Sequence, residues 1–322
     1  MLVPDDASWS IGELAERAAT TVKTVRFYSD SGLLPQRPRS GGGHRRYGPE
    51  ALERLRLIRA LRGLGLALPE VCRALDELDE GGGEAGAGGA FEGAVASRLR
   101  SVGSQLAALR WQEAALRLVQ ECPPGERAER LRLVGAMSSP PSTGTLVRFW
   151  RAWLPARMPA KATSAFLDAA VPEVPQSPGP LNVLAFARLH AMVSRPCTPD
   201  VRPAQPAAHQ DAGPRDVAVL YGGLASAYEL AGAELRAGRA PGGGEALDGF
   251  VDAYACARGR HDTPDFRRRL ARQLADDPRI DAYWELVEQV VTPAGQRPEP
   301  TPGSAHDWLL KALHTDVADY AA

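Results

Sequence analysis

The run TTVKTVRFYSDSGLL (Thr20 to Leu34), followed by RPRSGGGHRRY (Arg37 to Tyr47), leaves the amino-terminal part of the chain few folds to choose from. Just upstream, Ser10 and Glu13 fit the S-x-x-E capping box, in which hydroxyl and carboxylate each satisfy an orphan backbone N–H, so a helix starts at Ile11. Ile11, Leu14, Ala15 and Ala18 then form one inward stripe. Ala19 and Thr20 make a turn, and Thr21 is placed to cap a second helix. Val22 and Val25 of that helix are expected to face the core, leaving Lys23, Thr24, Arg26 and Phe27 or Tyr28 outward. Asp30-Ser31-Gly32 stops it, because glycine accepts the left-handed terminal conformation that branched residues avoid.

Leu33-Leu34-Pro35 leads into a charged hairpin with Arg37 and Arg39 on one side, Ser40-Gly41-Gly42-Gly43 at the tip, and His44, Arg45, Arg46 and Tyr47 on the return. Three glycines let such a loop approach a nucleic-acid backbone closely, and guanidinium groups match phosphate oxygens in bidentate fashion. Two further helices follow: PEALERLRLIRALRGLG, with Leu52, Leu55, Ile58, Leu61 and Leu64 in register, and LPEVCRALDEL, opened by Pro69. Arg54, Arg56, Arg59 and Arg62 lie around the longer one, and one or two of them are expected on phosphates. A helix sized for a major groove beside a basic loop describes a winged helix-turn-helix over residues 8–80. Its expected partner is duplex DNA.

Charge supports that reading. Residues 8–75 hold twelve Lys and Arg against six Asp and Glu, net +6, within a chain whose net charge is −1, so a basic module sits on an acidic remainder. With 322 residues and 44% hydrophobic content, two domains are expected. No apolar run approaches ~18 residues, and MLVPDDASWS lacks a basic region followed by an apolar stretch, so a cytoplasmic location is expected. Cys72, Cys122, Cys197 and Cys256 show no CxxC spacing and read as free thiols, with no metal or cofactor expected. No Walker loop, HExxH, GxSxG or strand-following GxGxxG is present, so no enzymatic activity is expected. The six histidines are dispersed, and the His306-Asp307 and His314/Asp316 pairs read as polar helix surface.

The order IGELAERA, TVKTVRFY, GLL-P, R-P-R, G-HRRY and LRGLGLALPEV resembles the MerR family of bacterial transcription regulators over about residues 10–78. Ala19 and Thr20 replace the usual glycine and apolar residue of the turn, which predicts strain there, and Phe27 replaces the first of two usual tyrosines. The resemblance implies homodimers on near-palindromic promoter sites with an overlong spacer, acting on RNA polymerase by bending and untwisting the DNA. It also implies that Thr21, Lys23, Thr24, Arg26, Phe27 and Tyr28 lie on or near the groove. Arg45 and Tyr47 would serve the wing, with Arg37, Arg39, His44 and Arg46 completing the DNA surface.

After a Gly-rich linker at 81–90, residues 91–121 set Val95, Leu99, Val102, Leu106, Leu109, Glu113 and Leu116 at alternating four and three spacing, a heptad seam with one charged member. Such a helix is expected to dimerise, and the family's antiparallel helix pair points the same way. From about 140 to 322 the chain reads as helices, interrupted by a Pro-rich loop at 195–215. Helix starts are marked at Thr263-Pro264 and Asp277-Pro278, and Ser304 precedes a final helix carrying Trp308, Leu309, Ala312 and Leu313. The expected fold is mainly α: a head with a small β-wing, a long dimerisation helix and an all-helical C-terminal domain. Trp150, Trp153, Tyr221, Tyr228, Tyr254, Tyr283, Trp284 and Trp308 are candidate linings of a pocket for a hydrophobic or aromatic effector. The alternative is a ligand-independent DNA binder whose helical body recruits a protein partner.

Overall fold

Ser10 caps the first helix as its sequence requires: its backbone N–H donates to Glu13 Oε2 at 2.6 Å, and its Oγ accepts from the Glu13 N–H at 3.3 Å. The computed structural model describes residues 8–79, 89–138, 141–155, 158–194, 214–274, 278–293 and 295–319. Most of the Gly-rich linker and of the Pro-rich loop thus falls outside the described residues. Contacts divide the chain within one long helix, into Met1–Gln105 and Leu106–Ala322.

The head is built from α1 (Ile11–Arg17), α2 (Val22–Asp30), α3 (Pro49–Gly63) and α4 (Leu68–Asp79). Leu14, Val25, Leu52, Leu55, Ile58, Leu61, Val71 and Leu75 meet in one core. Two expectations change here. On α2 the inward residues are Val25, Tyr28 and Ser29, while Val22, in the first turn, is exposed, because the i, i+3, i+4 face runs forward from Val25. Leu64 is 64% exposed, since α3 ends at Gly63 and Gly65, at φ +84°, turns the chain away.

The turn between α1 and α2 carries the strain that the sequence predicts. Ala19 has φ +49°, the sole non-glycine residue with positive φ among the described residues, and for an L-residue this conformation costs roughly 1–2 kcal/mol. The wing is a hairpin held by two isolated antiparallel bridges, Trp9 with Tyr47 and Arg37 with Arg46, without a longer strand among the described residues. Its tip turns at Gly43, where φ is +78°.

Helix α5 (Ala90–Glu121) has two different faces. Ala94 is buried in the head core, and Trp111, Ala114, Ala115 and Leu118 are buried in the core of the body. The heptad seam lies elsewhere: Leu99, Leu109 and Leu116 are 66, 62 and 72% exposed, Val102 and Leu106 are also exposed, and Val95 is half-buried. Glu113 is exposed and pairs with Arg117 at 2.5 Å.

The body comprises α6 (Arg127–Gly135), α7 (Gly144–Trp153), α8 (Ala160–Ala170), α9 (Pro180–Ser194), α10 (Pro214–Arg236), α11 (Glu245–Ala257), α12 (Pro264–Gln273), α13 (Pro278–Val291) and α14 (Pro302–Asp319). Helix α10 packs along α11 and α14, and α9 packs on α13. Buried Asn182 closes the latter joint: its amide donates to the carbonyls of Gln289, Val290 and Thr292 at 2.8–3.1 Å, while its Oδ1 accepts from Gly179 N–H at 2.8 Å. The Gln289 and Val290 carbonyls belong to the last turn of α13, where the helix itself supplies no donors, and Thr292 follows directly.

Arg267 on α12 gathers Asp262, Asp248 and Asp316 at 2.5, 2.7 and 3.1 Å, with its own side chain only 12% exposed. Thr263 caps α12 through the Phe266 N–H. The last helix starts earlier than Ser304. Thr301 caps it, accepting from Ser304 N–H at 3.2 Å, and Ser304 Oγ accepts from Thr301 N–H at 2.8 Å, a reciprocal pair that puts Ser304 inside the first turn. No helix among the described residues is long and apolar enough to cross a membrane.

Candidate DNA-reading surface and body cavity

Thr21 and Thr24 fix the start of α2: the Thr24 N–H donates to Thr21 Oγ1 at 3.1 Å, and the two hydroxyls lie 2.8 Å apart. With Val25, Tyr28 and Ser29 turned inward, Lys23, Arg26 and Phe27 stand exposed together on the other side. Phe27 is 53% exposed and meets Tyr28 edge to face. Neither Lys23 nor Arg26 forms an ion pair among the described residues, so both charges are available to an incoming anion.

The resemblance implies Tyr28 on or near the groove and Tyr47 in the wing. Both are buried, and the Tyr47 hydroxyl lies 2.8 Å from Ser29 Oγ. Ser29 also accepts from Gln36 Nε2 at 3.0 Å and from Arg45 at 3.2 Å, so one buried hydroxyl ties the end of α2 to the loop after it and to the wing. Tyrosine is amphipathic, and sequence pattern alone did not reveal which end of each ring would be wet.

The wing cations are mostly engaged. Arg37 makes a bidentate pair with Glu50 at 3.0 and 3.2 Å, holding that carboxyl below its ordinary value. Arg45 pairs with Asp30, which raises the guanidinium pKa further. Arg46 lies 4.0 Å from Glu13, and Arg39 donates to Gly43 O at 3.4 Å, while His44 is exposed at the tip. Exposed ion pairs contribute only about 0–1 kcal/mol, so a phosphate can replace these carboxylates at little cost.

The arginines of α3 serve the fold. Arg54 Nε donates to Leu33 O at 2.8 Å, Arg59 to Ala18 O, and Arg62 to Leu66 O at 2.6 Å. Ala18 is the C-cap of α1, where a cation both satisfies a carbonyl and opposes the helix dipole. Arg56 pairs with Glu53.

In the body, α7, α8, α10, α13 and α14 line a cavity of about 750 Å³ that is open to solvent on one side. Of the eight aromatic residues expected at a pocket, Trp150, Trp153, Tyr221, Tyr228 and Trp284 line it. Tyr254, Tyr283 and Trp308 are core instead: the Tyr283 hydroxyl donates to Ala170 O at 2.7 Å, Trp308 Nε1 donates to Arg239 O at 3.0 Å, and Tyr254 is fully buried. Phe166 and His306 join the lining, and neither was expected there. His306 is no surface residue, since its Nδ1 lies 3.0 Å from the Tyr228 hydroxyl. That pairing spans 78 residues of sequence and left no local trace. Burial holds the Tyr221 and Tyr228 hydroxyls well above the ordinary tyrosine range, so both stay protonated.

Three thiols, Cys72, Cys122 and Cys256, are free, and no group of three or more metal-capable side chains occurs among the described residues. Residues 9–78 match the family model of the MerR HTH family regulatory protein. The chain is 47% identical over 73 residues to nodulation protein NolA of Bradyrhizobium sp. (strain NC92), covering 23% of this chain and 31% of that protein. It is 46% identical over 70 residues to the HTH-type transcriptional activator TipA of Streptomyces coelicolor, covering 22% and 28%. With the mercuric resistance operon regulatory protein of Serratia marcescens it shares 39% over 72 residues, covering 22% and 49%. The chain thus spans about a third of the length of the first of these relatives and half of the last.

Proposed function

Residues 9–78 are a MerR-type helix-turn-helix domain, and from it we propose that this protein is a transcription regulator that binds promoter DNA as a homodimer and responds to a small aromatic effector held in the body. The observation that carries the reading is the division of α2: Lys23, Arg26 and Phe27 exposed on one side, Val25, Tyr28 and Ser29 anchored on the other. That helix presents two unpaired cations and an aromatic edge to a major groove. The wing cations flank it and exchange carboxylates for phosphates.

The exposed seam of α5 supports the homodimer. Five large apolar side chains at heptad spacing face solvent in the single chain, while the opposite face of the same helix is already buried. Pairing two copies covers this stripe and delivers two heads to a two-fold site. The aromatic cavity supports the effector. Protein–DNA contacts then offset a promoter deformation of order 1–6 kcal/mol, and RNA polymerase at the promoter is the reader of that deformation.

Footprinting of the protein's own upstream region is the decisive experiment. The expected result is a protected, two-fold symmetric site that Arg26→Ala abolishes without unfolding the protein. Absence of protection on every genomic fragment offered would overturn the proposal.

A further inference from the structure

The body cavity carries more chemical information than its aromatic content. Its walls on α8 and α10 include small residues, such as Ala162 and Ala165 on the one and Ala218 and Gly222 on the other, set between larger side chains, while tryptophans and Phe166 supply ring surface. Smooth walls combined with ring faces suit a flat ligand better than a branched one, since planar rings stack in offset or edge-to-face contact. At about 750 Å³ the space holds roughly three or four fused rings with substituents.

Charge is balanced around the rim. Lys161 and Arg236 stand against Glu229 and Asp281, giving no net preference for an ion. The two tyrosine hydroxyls of the lining are neutral. Burial keeps Tyr221 and Tyr228 protonated, and the Tyr228 hydroxyl shares its 3.0 Å hydrogen bond with His306 Nδ1. If the tyrosine donates to the imidazole, its oxygen accepts from a ligand hydroxyl; if the imidazole donates, the tyrosine proton goes to a ligand carbonyl. The pair therefore serves an oxygen of either polarity.

A second donor stands close by. Trp150 lines the cavity, and its indole N–H is buried with no acceptor at hydrogen-bonding geometry. Tyr283 packs against it with ring centroids 4.9 Å apart, and the Tyr283 hydroxyl, which donates to Ala170 O, keeps its lone pairs beside the indole.

We infer that the body cavity takes an uncharged, planar polycyclic aromatic compound bearing a phenolic hydroxyl or quinone carbonyl, with that oxygen docked on the Tyr228–His306 pair. The inference rests on the reading of this cavity as the effector site. Calorimetric titration of the full chain, without DNA, tests it with four probes of similar size: 1,8-dihydroxyanthraquinone, anthracene, anthraquinone-2-sulfonate and a cationic acridine. The dihydroxyanthraquinone is expected to bind most tightly. Tyr228→Phe, which keeps the ring, should weaken that probe about 3- to 10-fold and leave anthracene unchanged. Gly222→Phe, at a position where an added Cβ meets nothing within 4 Å, should block every probe by filling the space. Tighter binding of the sulfonate, the cation or the bare hydrocarbon overturns the inference while leaving an effector cavity in place, as does a Tyr228→Phe variant that binds the hydroxylated probe as well as wild type. Failure of all four probes overturns the cavity reading itself.

Discussion

Ser29 Oγ lies 2.8 Å from the Tyr47 hydroxyl inside the head, so the last turn of the reading helix and the return arm of the wing are fixed to one another by a buried hydrogen bond. Ser29 accepts from Gln36 and Arg45 and has its own proton left for Tyr47, which satisfies the hydroxyl completely. Tyr47→Phe should lower head stability by about 1–3 kcal/mol, because it leaves that buried hydroxyl without its acceptor. Urea denaturation checks this. DNA affinity should fall with no change in its salt dependence, since Tyr47 positions the wing and touches no phosphate.

Residues that hold phosphate behave differently. If the dimer neutralises ~6–10 phosphates, affinity should drop by roughly 10³–10⁵ between 50 and 200 mM salt. Arg26→Ala should reduce the slope of log K against log salt by about 1 for each phosphate no longer neutralised, whereas Arg59→Ala should leave it unchanged. Arg59 already holds the Ala18 carbonyl. Fluorescence anisotropy over a salt series distinguishes the two variants, and equal slopes would refute the assigned surface.

Ala19 sits at φ +49° between α1 and α2. Ala19→Gly should raise the stability of the head by about 1 kcal/mol, because glycine adopts this conformation without the Cβ penalty. The measurement is the midpoint of chemical denaturation. A loss of stability would mean that the unfolded-chain entropy of glycine outweighs the relieved strain.

The α5 seam predicts an oligomeric change. Leu109→Glu, at a side chain that is 62% exposed in the single chain, should leave helicity intact while converting the proposed dimer to monomer in light scattering. Trp111, on the buried face, should behave oppositely, with Trp111→Ala destabilising the body by about 3–5 kcal/mol.

Arg267 collects three aspartates with little exposure of its own side chain. Arg267→Ala should destabilise the body by about 3–5 kcal/mol by stranding partly buried carboxylates. Triple replacement of Arg267, Asp262 and Asp316 with neutral residues should recover part of that loss. Thermal melting of the two variants side by side provides the comparison.

What could be read from the residues was whatever is decided within a turn or two of chain. The caps at Ser10, Thr21 and Thr263 depend on neighbours three residues away, and all three form as the spacing requires. The stripe of Leu52, Leu55, Ile58 and Leu61 on α3 follows from helical period. Val22 left the core face, and Phe27 rather than Tyr28 faces outward, because a nine-residue helix leaves the phase of its stripe open by one position. One or two of the α3 arginines were expected on phosphates; that Arg54 and Arg59 donate to the carbonyls of Leu33 and Ala18, far away in the chain, left no local trace. His306 reached the cavity by packing of α14 on α10, which no local pattern encodes.

The alanine and glycine walls of the body cavity have an outcome for diversification. Space there is created by missing methylenes on α8 and α10, whereas the hydrophobic interior is held by other residues of the same helices, such as Ala170, Val217, Leu220 and Ala231. Enlarging one wall residue thus reshapes which molecule fits without disturbing what keeps the helices together. If the cavity is the proposed effector site, a single wall substitution would change the molecule it accepts at little cost in stability.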